Sequence, residues 1–163
     1  MKKSICLFTF VFFCYLIAFG SNGNGNRGYK ADVTLTGSLG TSVDLMPFLV
    51  SLETGHGYCF GNNWYAGGGT GIELFEDIYY YVPVYSEIRY YIPGTVLYLN
   101  GKIGAEFSSG YGLQQPFLLS EGGLGVTNGK WSVSLCLRYL SLSMGTISPA
   151  SIANLRFGIG YHF

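Results

Sequence analysis

Apolar and polar residues alternate along most of the chain from Tyr29 onward. A period of two is typical of β-strands whose two faces meet different surroundings. Short links that carry turn residues separate consecutive segments, and Asn128-Gly129 is a strong hairpin signal. Short links between neighbouring strands imply antiparallel pairing. The pattern therefore predicts eight antiparallel strands without an intervening helix: Tyr29–Gly40, Met46–Tyr58, Trp64–Phe75, Tyr79–Ile92, Val96–Phe107, Phe117–Thr127, Trp131–Ser143 and Ile152–Phe163.

Charged residues occupy one phase of each predicted strand, and the other phase is apolar, small or weakly polar. Arg138, for example, alternates with Trp131, Val133, Leu135, Leu137 and Tyr139. A soluble sandwich or lipocalin-like barrel buries such an apolar face, whereas a membrane barrel turns it toward lipid. The polar phases are rich in glycine and tyrosine and poor in the lysine and glutamate that a water-facing sheet carries. This composition favours the membrane barrel.

Aromatic residues stand at the ends of the apolar phases, as they do in the interface girdles of membrane barrels. The predicted girdle comprises Tyr29, Tyr58, Trp64, Tyr80, Phe107, Trp131 and Tyr161. A tilted strand of about 9–11 residues spans the hydrocarbon, and the predicted strands are long enough. An open sheet edge would leave unpaired backbone groups in lipid, so we expect the first strand to pair with the eighth. The fold class is therefore an all-β, closed, eight-stranded up-and-down transmembrane barrel.

The first twenty residues read as a secretory signal peptide rather than as part of the fold. Lys2 and Lys3 precede an apolar run from Ile5 to Phe19, and Ala18-Phe19-Gly20 suits cleavage near Gly20, before Ser21. The alternative is a membrane anchor, but the run is shorter than the roughly 20 residues that a spanning helix needs. We expect residues 1–20 to be the signal peptide, 21–28 a flexible linker and 29–163 the barrel.

Composition excludes other classes of protein. Charged residues make up 11% of the 163-residue chain and aromatic residues 17%, which argues against disorder. No basic patch suits the neutralisation of phosphates, so a nucleic-acid partner is not expected. The predicted mature chain keeps Cys59, in a predicted turn, and Cys136, in a predicted strand. These two thiols could pair in an oxidising compartment, but their placement favours free thiols.

The charged phase of the strands is predicted to face the barrel interior. These interior residues are Lys30, Asp32, Glu53, Glu73, Glu87, Arg89, Lys102, Glu106, Glu121, Arg138 and Arg156. Five are basic and six acidic, and an eight-stranded barrel has room for little more than its own side chains. Charges removed from water must be paired, so the sequence predicts an ion-pair network that plugs the lumen. An ion path or a small-ligand site is the functional alternative.

The stretch GGGTG at residues 67–71 has a structural explanation. Gly67, Gly69 and Gly71 share the inward phase of the third strand, and no helix follows as a phosphate loop would require. The fourth strand should lie beside them with Tyr79, Tyr81, Tyr85 and Tyr91 pointing inward. We expect these rings to lie across the bare glycine backbone.

Catalytic chemistry finds little support in the sequence. His56 and His162 are both expected near the end of the barrel that carries the termini, without a third group to orient either ring. No cluster suggests a metal site, and no cofactor is expected. The predicted external loops, Thr41–Leu45, Glu76–Ile78, Ser108–Pro116 and Met144–Ser151, are short, and Tyr111 is their candidate contact residue.

Several segments resemble the small eight-stranded outer-membrane β-barrel proteins of Gram-negative bacteria, of the OmpX and OmpA-barrel type. The segments are GYKADVTL (28–35), TGHGYCF (54–60), WYAGGGTGIE (64–73), PVYSEIRYYI (83–92) and the C-terminal strand. The resemblance implies a bacterial outer-membrane location among membrane lipids and a structural or surface-interaction role without catalysis. The alternatives are a lipid-modifying barrel enzyme and a narrow pore or small-ligand transporter.

The C-terminal stripe of Leu155, Phe157, Ile159, Tyr161 and Phe163 resembles the signal that the barrel-assembly machinery binds in this class of protein. Such binding would use an edge strand, which is the β-augmentation mode of recognition.

Overall fold

The computed structural model describes residues 27–40, 49–74, 80–108, 116–141 and 151–163. Its eight strands are β1 (Gly28–Gly40), β2 (Leu49–Cys59), β3 (Trp64–Leu74), β4 (Tyr80–Tyr91), β5 (Leu97–Ser108), β6 (Phe117–Asn128), β7 (Trp131–Ser141) and β8 (Ser151–His162). Each strand pairs antiparallel with the next, and β1 pairs with β8. The predicted closed eight-stranded barrel is confirmed. Among the described residues, no helix is long and apolar enough to cross a membrane.

The strand bounds differ from the prediction by one residue at several points near the termini-bearing end, and two of these differences change how a residue is interpreted. Gly28, predicted as the last linker residue, begins β1 and pairs with Cys59. Cys59, predicted in a turn, is the last residue of β2 and also pairs with Tyr65 of β3. Pairing on both sides extends the ladder beyond the point at which the sequence alternation weakens. Several predicted features lie outside the described residues: the signal peptide, most of the linker, Tyr79, Tyr111 and the interiors of the four external loops.

Three tight turns and both ends of the described chain lie at one end of the barrel, which we call the turn end. The β2–β3 turn contains Gly61 and Asn63, the β4–β5 turn contains Gly94, and the β6–β7 turn contains Gly129. All four residues have positive φ, between 61° and 79°, which explains the Gly and Asn signals in the sequence. The opposite end, from which the four other connections leave, is called the loop end.

The two faces of the sheet are inverted relative to a soluble protein. Apolar side chains point outward, and 54% of Leu35 and 64% of Leu137 are exposed. The charged side chains Arg138 and Arg156 point inward and are at most 2% exposed. Successive residues of a strand face opposite sides of the sheet. The alternation in each described strand therefore places its large apolar stripe outside and its charged residues inside.

Candidate functional site

The middle of the lumen holds a dense group of buried charges, which we call the central cluster. Its members are Glu53, Glu73, Glu106, Glu121, Lys102, Arg138 and Arg156. Arg138 contacts four carboxylates, at 2.7 Å to Glu73 and at 3.1 Å to each of Glu53, Glu106 and Glu121. These four carboxylates come from β2, β3, β5 and β6, so one guanidinium joins four strands across the lumen.

Arg156 and Lys102 complete the central cluster. Arg156 lies 2.7 Å from Glu53, 2.9 Å from Glu73 and 2.7 Å from Glu121, and it also donates a hydrogen bond to Ser51. The ammonium group of Lys102 lies 2.7 Å from Glu53 and 3.4 Å from Glu121. Four carboxylates thus meet three cations within a space that water barely reaches. Charges held in this way attract one another strongly because the surrounding dielectric is low.

A second, smaller group of charges lies nearer the turn end, and we call it the turn-end cluster. Its members are Asp32, Glu87 and Arg89. Arg89 donates two hydrogen bonds to Glu87, of 2.6 and 2.7 Å, and lies 2.8 Å from Asp32. The imidazole of His162 lies 3.8 Å from the carboxylate of Asp32, its neighbour across the β1–β8 seam. The alternation of the sequence does not indicate that His162 lies beside these charges.

The eleven charged residues predicted for the interior all lie on inward positions, but they do not form a single group. Ten of them divide between the two clusters. Lys30 is half-buried at the turn end, and none of the ion pairs found among the described residues includes it. Alternation predicts which face a residue occupies, whereas the register between strands decides which charges meet. Lys30 shares the inward phase but lies two residues closer to the turn end than Asp32.

Two apolar groups lie beyond the charges, one toward each end of the lumen. In the loop-end half, Phe117, Leu119 and Leu140 pack with Tyr85. At the turn end, Cys59 packs with three tyrosines, Tyr65, Tyr91 and Tyr98. Leu119 and Leu140 lie two residues beyond Glu121 and Arg138 toward the loop end, and Tyr91 lies two residues beyond Arg89 toward the turn end. Apolar side chains therefore flank the charges on both sides, an arrangement that the charge pattern did not predict.

Tyrosine rings lie against both the cations and the glycines of the interior. Arg89 lies 4.8 Å from the ring centre of Tyr65, and Lys102 lies 4.5 Å from that of Tyr85. A Cβ added at Gly69 would lie 2.6 Å from the hydroxyl of Tyr85, and one added at Gly125 would lie 2.3 Å from the ring of Tyr98. The glycine at each of these positions leaves the space that the ring occupies.

The two cysteines of the described chain, Cys59 and Cys136, are buried and are not joined to each other by a disulfide. Cys59 belongs to the apolar group at the turn end, whereas Cys136 lies beside Asn100, with sulfur 3.6 Å from both the amide nitrogen and the amide oxygen. Within the described ranges, no group of three or more His, Cys, Asp or Glu residues could hold a metal ion.

The two histidines occupy opposite faces of the barrel wall. His162 faces the lumen, and His56 faces outward near the turn end. One ring nitrogen of His56 lies 2.6 Å from the Tyr29 hydroxyl and the other lies 3.2 Å from the Thr54 hydroxyl. The expectation that no third group orients a histidine is therefore wrong for His56. The backbone around Thr54 and His56 pairs with strands on both sides, so its N–H groups are committed to the ladder and not to a developing oxyanion.

The predicted girdle residues all point outward. Tyr29, Tyr58, Trp64, Trp131 and Tyr161 lie at the turn end, and Tyr80 and Phe107 lie toward the loop end. Edge-to-face contacts join Trp131 to Tyr161 and Tyr161 to Phe163, with ring centres 5.0 and 5.2 Å apart. In β8, Leu155, Phe157 and Ile159 are exposed in the same phase as Tyr161. The amide of Phe163 donates to the carbonyl of Ala31, so β1 holds the last residue of the chain.

Comparison with solved structures identifies the same architecture in other barrels. A de novo designed transmembrane β-barrel is 12% identical over 88% of this chain and 100% of its own, with a TM-score of 0.56. Ail from Yersinia pestis, an outer-membrane protein, is 15% identical over 83% of this chain and 100% of its own, with a TM-score of 0.56. The N-terminal barrel of Pseudomonas aeruginosa OprF is 11% identical over 88% and 100%, with a TM-score of 0.54.

The fold is thus that of the small eight-stranded outer-membrane barrels. No protein-family model matches the sequence, and no curated protein matches it significantly.

Proposed function

We propose that this chain is an integral outer-membrane barrel whose lumen is closed to solutes and whose role is structural or surface-interacting. The inverted distribution of side chains carries the proposal, because apolar residues cover the outside while the paired charges lie inside. Only a hydrocarbon surrounding makes that arrangement favourable over the whole height of the wall. The known barrels of this fold include outer-membrane proteins, which supports the same location.

A closed lumen follows from how the interior is filled. The central cluster and the turn-end cluster cross the lumen at two levels. Inside the lumen, one apolar group lies on the loop-end side of the central cluster, and the other lies on the turn-end side of the turn-end cluster. Moving a hydrated ion through the middle would require the separation of Arg138 from four carboxylates at once. Breaking such buried contacts exposes uncompensated charge and is costly. The barrel therefore serves as a rigid support, and any partner is contacted by the external loops.

A lipid-modifying activity is the less favoured function. The Thr54–His56–Tyr29 arrangement places a hydroxyl, an imidazole and an orienting group in one row on the lipid-facing surface. Nucleophilic catalysis also needs donors for the developing oxyanion, and the ladder on both sides of β2 occupies the neighbouring amides. Mass spectrometry of lipid A and phospholipids from cells with and without the protein tests this directly. A protein-dependent product would overturn the proposed absence of catalysis.

The C-terminal strand is proposed as the segment by which the barrel-assembly machinery recognises the chain. Before closure, β8 is an edge strand with its apolar stripe exposed and its ladder groups free. An edge of this kind is suited to strand addition. In the finished barrel the same groups pair with β1, so recognition and closure use one set of hydrogen bonds in succession.

Two measurements on the refolded mature protein test the closed membrane barrel. In detergent, folded barrel should migrate differently from heated protein on a gel. In planar bilayers, the protein should insert without discrete, lasting conductance steps. Regular conductance steps of a defined size would show that the lumen is open. Identical migration of heated and unheated samples would show that no heat-resistant barrel forms.

A further inference from the structure

The charged residues outside the two clusters are separated between the two ends of the barrel. Every described acidic side chain belongs to the central cluster or to the turn-end cluster. Three described basic residues belong to neither cluster and lie at the turn end: Arg27, Lys30 and Lys130. The sequence of the loop-end connections contains Asp44, Glu76 and Asp77 but no lysine or arginine. Among the described residues, basic side chains without an acidic partner are therefore confined to the turn end.

Arg27 lies on the outside of the turn end, beside the turn that joins β2 and β3. Its Nε donates a hydrogen bond of 3.2 Å to the hydroxyl oxygen of Tyr58. A Cβ added at Gly61 of that turn would lie 3.1 Å from the Cβ of Arg27, so the turn packs against the base of the side chain. These two contacts hold the guanidinium at the rim of the barrel.

The hydrogen bond between Arg27 and Tyr58 leaves several donors free. The two terminal nitrogens of the guanidinium have no hydrogen-bond or ion-pair partner among the described residues. Tyr58 accepts from Arg27 with its oxygen, so its own O–H remains available as a donor. The oxygens of a phosphate group accept several hydrogen bonds at once, and a planar guanidinium matches their geometry. The two side chains together therefore suit a phosphate group.

Lys130 provides a second positive charge, on the other side of the β1–β8 seam. It is exposed in the β6–β7 turn, and its ammonium nitrogen lies 5.9 Å from the ring centre of Tyr161. Its backbone carbonyl accepts a hydrogen bond of 2.7 Å from the amide of His162, which ties the turn to β8. Trp131 follows it directly as a girdle residue. The ammonium group thus lies beside the aromatic girdle, at the level where membrane headgroups are found.

We propose that this part of the turn end binds the headgroups of anionic phospholipids through Arg27 and Lys130. We call it the basic rim, and it comprises Arg27, Tyr58, Lys130 and Tyr161. A headgroup with net negative charge complements the basic rim, because every described acidic side chain is buried in the lumen. A zwitterionic headgroup carries a cation of its own, which the basic rim repels. The inference rests on the proposed function, since headgroups reach the rim only if the barrel spans a bilayer.

Each of the two cations has a tryptophan beside it that can report on the neighbouring lipid. The carbonyl of Trp64 accepts a hydrogen bond of 2.9 Å from the amide of Phe60, at the start of the turn that contacts Arg27. Trp131 is the neighbour of Lys130 in the sequence. Trp131→Phe and Trp64→Phe therefore give two proteins, each with a single tryptophan that reports on one side of the basic rim.

Lipid selectivity at each tryptophan tests the basic rim. The single-tryptophan proteins are refolded into mixed bilayers of phosphatidylglycerol and phosphatidylcholine, in which only one of the two lipids carries bromine on its acyl chains. At equal mole fractions, we expect brominated phosphatidylglycerol to quench both tryptophans more strongly than brominated phosphatidylcholine. The apparent binding constants should differ about fivefold, as expected for one basic side chain at an anionic surface. High salt should weaken this preference, because it screens exposed charges.

Removal of each cation should act on its own tryptophan. Arg27→Gln should abolish the preference for phosphatidylglycerol at Trp64 and leave it at Trp131, and Lys130→Gln should do the reverse. Lys30→Gln is the matched control, because it removes the same charge from an inward-facing position and should leave both preferences intact. An equal loss of preference in all three variants would show that only net charge attracts the lipid, which would contradict binding at the basic rim.

Two further outcomes separate this inference from the proposed function. Every variant should show heat-dependent gel migration after refolding in a neutral detergent, which offers no anionic headgroup. If neither brominated lipid quenches either tryptophan, the proposed membrane placement fails and the inference fails with it. Equal quenching by the two brominated lipids at both tryptophans would leave the membrane placement intact and overturn only the basic rim.

Discussion

Arg138 and Glu73 lie 65 residues apart in the sequence and meet at 2.7 Å inside the barrel. Both side chains are 1% exposed. The contact crosses from β7 to β3, which are four strands apart in both directions around the barrel, so it joins parts of the wall that share no backbone hydrogen bonds. The central cluster thus adds connections through the lumen to the ladder that runs around it.

Removal of this guanidinium should destabilise the folded barrel. Arg138→Met leaves four buried carboxylates with two cations, and loss of one partner of a buried ion pair typically costs about 3–5 kcal/mol. The free energy of unfolding in urea and the temperature of the gel-mobility transition should both fall. Lys130→Met, at an exposed turn residue, is the control and should change neither. An unchanged transition in Arg138→Met would show that the charges do not hold the wall together.

Neutralisation of Glu106 should partly rescue that variant. Among the ion pairs of the described chain, Glu106 contacts only Arg138, at 3.1 Å. Adding Glu106→Gln to Arg138→Met removes the carboxylate that the first change leaves without a partner, and we expect about 1–3 kcal/mol to be regained. Urea unfolding of the single and double variants measures the coupling. Purely additive destabilisation would contradict this pairing.

Glycines that face tyrosine rings should not tolerate a methyl group. Gly125→Ala would place its Cβ 2.3 Å from the Tyr98 ring, and overpacking of this kind costs about 1–3 kcal/mol. Gly122→Ala, three residues earlier and outward-facing, is the matched control with open space. Folding yield in detergent and urea midpoints should fall only for Gly125→Ala. Equal effects would mean that loss of backbone flexibility, not ring packing, explains both glycines.

Phe163 should matter more for assembly than for the finished fold. Phe163→Asp leaves the amide that donates to Ala31 but removes the terminal aromatic of the β8 stripe. We expect outer-membrane levels in cells to drop sharply, while the purified variant still refolds in detergent with nearly normal heat resistance. Normal membrane levels would leave Phe163 as a girdle residue only, and failure to refold would assign it a structural role.

The sequence predicted the architecture because alternation and turn residues act locally. The Asn128-Gly129 signal marked a turn, and the phase of Arg138 marked the face that points inward. The sequence does not predict which charges pair inside the lumen, because the pairing depends on how far each strand is shifted relative to its neighbour. That shift brings His162 beside Asp32 and leaves Lys30 outside both clusters. It also places Arg89 and Arg138 in different clusters. Apolar packing in the lumen was missed because Leu119 and Leu140 share the inward phase with charges.

The outer face is expected to lie in lipid, and the two tryptophans of the chain report on its surroundings directly. Trp64 and Trp131 point outward at the turn end and are 41% and 59% exposed. The measurement is their fluorescence in bilayers whose acyl chains carry bromine near the headgroup. Strong quenching by the brominated lipid, with little quenching by acrylamide in the aqueous phase, is the predicted result. Emission that acrylamide quenches and brominated lipid leaves unchanged would show that the outer face lies in water.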